Sequence, residues 1–302
     1  MYMSKILIIT CSYDKTIDYI IEKNKYRANF FRFNVDLFAD YGITISNSYW
    51  EISYRNNTIN SNTALSIYYR KPTFPDTSDF APEYRRIINS DILAIIDGLA
   101  NSFSGVVLTK PYLLRQAENK IFQLIYAKSH SVLMPKSFIG NNDYWKCIND
   151  QRIIKPISVG KIETSSGIAI IQTNLMHEND SYDSPELTPV YIQEYIKKSF
   201  EVRITVVDDD FFAVKIVSDN MIDWRAGNNN QYEIIDIPIE IKKCIKMMMK
   251  DFQLRFGAID YIVDVDGKWY FLEINPNGQW QWLECILGLS ISDSIMNMLL
   301  GG

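Results

Sequence analysis

Histidine is nearly missing from this chain. Only His130 and His177 occur in 302 residues, both in polar or helical surroundings. Imidazole acid–base chemistry is therefore not expected to carry a reaction here. Cysteine is sparse too: Cys11, Cys147, Cys244 and Cys285 lie scattered, with no CxxC pair and no metal-ligand spacing. That excludes a disulfide framework or thiolate zinc site and reads as the reduced thiols of a cytosolic protein. No apolar run has the length a membrane span needs, and the N-terminal one ends after a few residues. Neither a membrane segment nor a signal peptide is expected, which places the protein in the cytoplasm. A charge excess is lacking as well. With 31 basic and 36 acidic residues the net charge is −5, so nothing electrostatic argues for nucleic acid as a partner.

What is there is ordinary globular composition, 47% hydrophobic and 22% charged, enough for a large core. The first third alternates strand and helix patterns. "KILIIT" reads as a buried strand, "KTIDYIIEKN" as a helix and "NFFRFN" as a second strand. "GITISN" and "WEISYRNNTIN" read as a hairpin turning at Asn56-Asn57, and "ALSIYYRKP" as a strand halted by Pro72. Residues 78–103 carry helical spacing of Tyr84, Ile87, Ile88, Leu93, Ile95 and Ile96. This is an α/β module with a partly parallel sheet. The helix "KIFQLIYAKSH" and the strand "RIIKP" follow, then a polar, breaker-rich excursion at 172–189. From "VYIQEYI" onward the pattern is strand-rich, broken by a helix at 238–254 and closed by an amphipathic helix at 285–300. The expectation is three consecutive α/β pieces: 1–110, 111–190 and 191–302.

The stretch "FLEINPNGQW" raises the question of function, because a strand-like run ends in Glu273 and Asn275. Asp266-Gly267 just before it predicts a two-residue type I′ hairpin turn. Counting out from that turn sets Val263 opposite Tyr270 and Asp260 opposite Glu273. Asn275 then shares the face of Glu273, roughly 6.6 Å further along. Two carboxylates directly across a ladder repel, a cost that a bound cation removes. Carboxylate and amide oxygens are hard ligands suited to Mg²⁺ or Mn²⁺, and Mg²⁺ fills its remaining positions with water and phosphate oxygens. The competing reading is an exposed acidic hairpin with a polar end.

Cationic counterparts exist. Lys155 closes a strand before a glycine- and serine-containing turn, and Lys120 opens a helix; both suit a phosphate, and both also suit plain solvation. Alternation in "SFEVRITVV" places Glu201, Arg203 and Thr205 on one face. A Glu and an Arg so spaced fit a ribose hydroxyl and an anion, or an ordinary polar strand face.

Together and in this order, these pieces resemble the ATP-grasp fold over most of the chain. More narrowly, "FLEINPNGQWQWLE", "IDWR" (222–225) and "YYRKP" (68–72) resemble the graspetide synthetases, ligases that mature microviridins and related ribosomal peptides. The resemblance implies ATP and Mg²⁺ as cofactors. It implies that Lys120 and Lys155 contact phosphates, that Gln193, Glu194, Tyr195 and Ile196 hold adenine, and that Glu201 takes the ribose. Asp260, Glu273 and Asn275 would hold the metal, with Arg203, Arg225 and more weakly Lys215 at the transferred phosphoryl group. The activity it implies is activation of Asp or Glu side chains of a precursor peptide as acyl phosphates, then closure of ester or amide macrocycles. It further implies a leader-binding surface, placed here at 172–189 and nearby strands, and a homodimer.

The chain departs from the family pattern at Tyr68-Tyr69-Arg70-Lys71-Pro72, where a tryptophan and two arginines are usual. Two alternatives share the ATP residues: a RimK-like ligase that adds amino acids to a peptide or small acid, and a nucleotide-binding scaffold without catalysis.

Overall fold

The computed structural model describes residues 5–142, 146, 151–158, 161–164, 167–170, 173–176, 187 and 189–301. Lys5–Thr10 (β1), Asn29–Asn34 (β2), Ala64–Tyr69 (β6) and Val106–Leu108 (β7) form a parallel sheet of order β2-β1-β6-β7. β1 is a continuous apolar run because both its faces are covered. One is packed by Lys15–Asn24 (α1), the other by Pro82–Ser102 (α2). Asp14 caps α1, accepting from the backbone N–H of Thr16 and Ile17. Gly42–Ile45 (β3), Trp50–Tyr54 (β4) and Asn57–Asn60 (β5) make a separate antiparallel sheet. Its second turn falls at Arg55-Asn56, one residue earlier than expected: Tyr54 pairs with Asn57, and Arg55 takes the positive φ of 52°. On α2 the inward residues are Ile92, Ile96, Leu99 and Ala100, while Tyr84 and Ile87 are exposed.

Pro111–Ala117 (α3) and Lys120–Ser129 (α4) lead into a central antiparallel sheet of Ser137–Gly140 (β8), Arg152–Lys155 (β9), Asn174–Met176 (β12) and Val190–Glu194 (β13), with a hairpin of Lys161–Thr164 (β10) and Gly167–Ile170 (β11) beside it in sequence. Most of the 172–189 excursion, and His177 and Cys147 with it, lies outside the described residues. Lys198–Val207 (β14), Asp210–Val217 (β15), Gln231–Ile234 (β16), Phe256–Asp264 (β17) and Trp269–Asn275 (β18) form a five-stranded sheet, all antiparallel, in order β16-β15-β14-β17-β18. Val202, Ile204, Ile259 and Tyr261 on one face of it pack on α4 and on Ile239–Asp251 (α5).

The chain closes with two helices, Gln281–Leu287 (α6) and Ile291–Leu299 (α7), where one was expected. Gly288 at φ +68° ends α6 in a left-handed cap, which turns the chain before α7. α7 packs on β6 and β7, and both helices share one hydrophobic core with β1, which joins the first and last parts of the chain. Among the described residues no helix is long and apolar enough to cross a membrane.

Candidate functional site

The site is built on the face of the five-stranded sheet opposite α5. In an antiparallel ladder, residues directly opposite share a face. Arg203 pairs with Asp260 and Asp260 with Glu273, while Thr205 pairs with Ala258 and Ala258 with Asn275. Glu201, Arg203, Asp260, Glu273 and Asn275 therefore line one side of three neighbouring strands. The pairing of Asp260 with Glu273 is the expected one, but two departures produce it. Asp264 Oδ1 accepts from the N–H of Asp266 and of Lys268, and Gly267 takes φ +79°. The turn thereby becomes a three-residue loop, and Val263 faces Trp269 rather than Tyr270. A bulge at Leu272, between the Tyr261–Phe271 and Asp260–Glu273 pairs, shifts the register back.

β18 is the edge strand, and its open side is held by α4. Gln123 donates Nε2 to Ile274 O at 2.9 Å and accepts from Ile274 N at 3.0 Å, as a further strand would. Its Nε2 also reaches Ala117 O at 2.7 Å. The backbone between Glu273 and Asn275 is thus tied to the helix that begins with Lys120. Asn119 caps that helix through Ile121 N and Phe122 N. Sequence reading missed Gln123; its place one turn after Lys120 was the available signal. Past the strand, Asn275 Oδ1 accepts from Asn277 N at 3.0 Å. A Cβ at Gly278 would lie 2.4 Å from the Ala258 Cβ, so only glycine lets the turn sit this close to β17.

Charge is concentrated here. Arg203 donates from Nη1 to both oxygens of Asp260, each at 2.9 Å, with both residues 6% exposed. Arg225 Nη2 lies 3.4 Å from Asp260 Oδ2 and 3.8 Å from Glu273 Oε1. Asp223 holds the Arg225 loop by accepting from Arg225 N at 3.0 Å. Burial pushes the Asp260 carboxyl up against the pull of Arg203 and Arg225. Burial alone would also raise Glu273, but Lys120, Lys155, Arg225 and Arg203 overcome it and hold that carboxyl below its usual range.

Lys155, on the central sheet, donates to Gln193 Oε1 at 2.9 Å and lies 4.4 Å from the Tyr191 ring centroid. Burial brings its ammonium down to about 8, helped by Lys120 and Arg225 and opposed by Glu273. Lys120 donates to Pro156 O at 2.8 Å, and burial lowers its pKa as well. The two lysines thus share the field of Glu273 from different elements.

The remaining candidates divide. Gln193 is fully buried and spends its amide on Ser137 Oγ, the Tyr191 hydroxyl and Lys155. Glu194 accepts Lys136 N on Oε2, while Tyr195 N donates to Gln151 O. Tyr195 and Ile196 remain half-buried. Glu201 is buried beside Lys198, whose Nζ lies 2.5 Å from its Oε1, a partner not anticipated from sequence. Lys215 is not brought to this face. It pairs with Val202 on the side packed by the helices, reaches Glu233 at 3.3 Å and covers the Phe200 ring.

The three most specific motifs meet in space. Trp224 of "IDWR" lies against Trp282 of "NPNGQWQW", with ring centroids 5.2 Å apart. Arg70 of "YYRKP" reaches Asn277 and Gln279. A RimK-like ATP-grasp domain matches residues 117–299, well over half of the chain.

The chain belongs to the RimK-like ATP-grasp family.

Its solved structural neighbours span the whole ATP-grasp chain. The macrocyclase MdnC from Microcystis aeruginosa MRC, bound with precursor peptide MdnA, is 25% identical at TM-score 0.89, covering 99% of this chain and 100% of that one. A RiPP-associated ATP-grasp ligase of Chryseobacterium gregarium, in complex with ADP and a leader and core peptide, is 25% identical at TM-score 0.88, covering 98% and 96%. Macrocyclase MdnB of the same Microcystis strain gives 25% identity and TM-score 0.83, covering 99% and 100%. No curated protein matches the sequence. The ATP-grasp fold expected from the motifs is therefore the fold of this chain, and the chain is an ATP-grasp ligase.

Proposed function

We propose that this ligase activates Asp or Glu side chains of a ribosomally made precursor peptide and closes them onto hydroxyl or amine side chains of the same peptide. The observation that carries the reading is the meeting of "YYRKP", "IDWR" and "NPNGQWQW" beside a cluster of two carboxylates and four cations. End-to-end likeness to peptide-bound ligases and macrocyclases supports it.

Roles follow from chemistry and position. Lys120 and Lys155 neutralise the nucleotide phosphates. The Gln193–Ile196 segment takes adenine at its far end, beyond Tyr195 N, because the side chains of Gln193 and Glu194 and the backbone N–H groups of Glu194 and Tyr195 are already engaged. Glu201, charge-balanced by Lys198, accepts the ribose hydroxyls. Asp260, Glu273 and Asn275 fit a hard divalent ion. They are oxygen donors on one face, and each carboxylate keeps lone pairs beyond those its arginine contacts use. Mg²⁺, or Mn²⁺ in its place, would neutralise phosphate charge there.

The peptide carboxylate attacks the γ-phosphorus, ADP leaves and an acyl phosphate forms. The peptide hydroxyl or amine then attacks the acyl carbon and phosphate leaves, with a proton lost to solvent. Arg203 and Arg225 stand where negative charge accumulates in both steps, so fixed cations supply the stabilisation that a histidine would not.

Incubation with ATP, Mg²⁺ and the short peptide encoded beside the gene tests this by mass. Loss of one water per new bond is expected. Gain of a residue mass would instead establish amino-acid addition, and ATP-independent binding alone would leave a scaffold.

A further inference from the structure

The N-terminal "YYRKP" motif invites the view that Arg70 meets the substrate, yet Arg70 is fully buried. Its backbone N–H extends the β6 pairing to Ile9 O at 2.8 Å, at the carboxyl end of the parallel sheet. From there the guanidinium reaches both ends of the chain. Nε lies 3.1 Å from Asp14 Oδ2, and Nη2 donates to Thr16 Oγ1 at 3.1 Å. Nη2 also donates to Gln279 Oε1 at 2.5 Å, and Nη1 to Asn277 Oδ1 at 3.4 Å. Thr16 Oγ1 is itself 3.3 Å from Gln279 Oε1. Asp14 supplies the counter-charge that a buried arginine needs, and it is fixed in turn as the cap of α1.

The far side of this link is the turn that follows β18. Asn277 N donates to Asn275 Oδ1 at 3.0 Å, and Gly278 N donates to Asn275 O at 3.3 Å. The Asn275 amide oxygen is therefore oriented by Asn277, and the Asn277 side chain is oriented by Arg70. A planar fork reaches acceptors on three sides at once, which a lysine ammonium on its flexible stem does not.

We infer that Arg70 is a positioning residue: it ties the N-terminal sheet to the Asn275–Gln279 turn and so fixes the Asn275 oxygen at the metal side of the site. This rests on the ligase reading above. It assigns "YYRKP" an internal task and leaves peptide contact to other residues.

The test compares wild type with Arg70→Lys, Asn277→Ala and the double variant. For each, the Mg²⁺ concentration that half-saturates the ADP-induced rise in Tm is measured, along with KM for the peptide. Arg70→Lys keeps the charge beside Asp14. It should raise the Mg²⁺ half-saturation about tenfold, with peptide KM unchanged. Asn277→Ala should give a similar shift, and the double variant no more than the larger single, because both act through one link. Unchanged Mg²⁺ dependence with a raised peptide KM, or additive effects, would overturn the inference. Should Arg70→Lys fail to fold, Asn277→Ala alone must show the Mg²⁺ shift or the inference falls. A wild type without any Mg²⁺-dependent ADP response would sink the ligase reading instead.

Discussion

Neutralising one carboxylate of the Asp260–Glu273 pair has different consequences for the two partners, and the structure says why. Asp260 is 6% exposed and receives both of its close hydrogen bonds from Arg203. In Asp260→Asn one acceptor oxygen remains, but the buried Arg203 guanidinium loses its counter-charge. Breaking a buried pair from one side costs about 3–5 kcal/mol; the retained oxygen places this case near the lower end, at about 3 kcal/mol. With about 2–4 °C lost per kcal/mol in proteins of this order of size, Tm should fall by roughly 6–12 °C.

Glu273 has a side chain 27% exposed, and its nearest cation among the described residues is Arg225 at 3.8 Å. Solvent screening limits the stability cost of Glu273→Gln to about 1 kcal/mol or less. Ligation should nevertheless fall in both variants by about 10²–10³-fold, the loss typical of removing one preorganised electrostatic group. Differential scanning calorimetry beside a mass-based ligation assay separates the two effects. Wild-type turnover in Glu273→Gln would refute the site. A wild-type melting temperature in Asp260→Asn would refute the account of Arg203.

Further outcomes follow from the lysines. Lys155 is protonated in the free protein below about 8, so the phosphate contact proposed for it should be complete there and be lost as pH rises. Above that point kcat/KM for ATP should drop by about tenfold per pH unit, and Lys155→Arg should flatten the profile. Because its folded pKa lies below the ordinary 10.5, the unfolded chain holds more protons between the two values, and this group favours the folded state increasingly as pH rises through that window. Lys215→Ala, on the helix-packed face, should leave KM for ATP within about twofold of wild type; a tenfold rise would place Lys215 in the nucleotide pocket after all.

The opposition of Asp260 and Glu273 was legible by counting, although the count reached it through a turn of the wrong length. The Asp264 carboxylate, by gathering the N–H groups of Asp266 and Lys268, lengthens the loop by one residue, and the Leu272 bulge returns the residue it took. Alternation in "EVRITVV" correctly put Glu201 and Arg203 on one face. It could say nothing of Lys215 on the next strand, whose face depends on the pairing that sets it opposite Val202. The closing helix was legible as apolar spacing, but its break at Gly288 is a conformational choice that periodicity does not reveal.

By itself the sequence determined the local features: strand and helix periods, and motifs whose residue types name hard-metal and phosphate chemistry. Those features depend on neighbours within a few positions. Only the tertiary structure decided which charges are already spent on one another. Gln123 grips Ile274 from 151 positions away, and Arg70 reaches Gln279 across 209. Such contacts form because burial denies a polar group its water and forces it to find a partner wherever the fold supplies one, and no local pattern records where that will be.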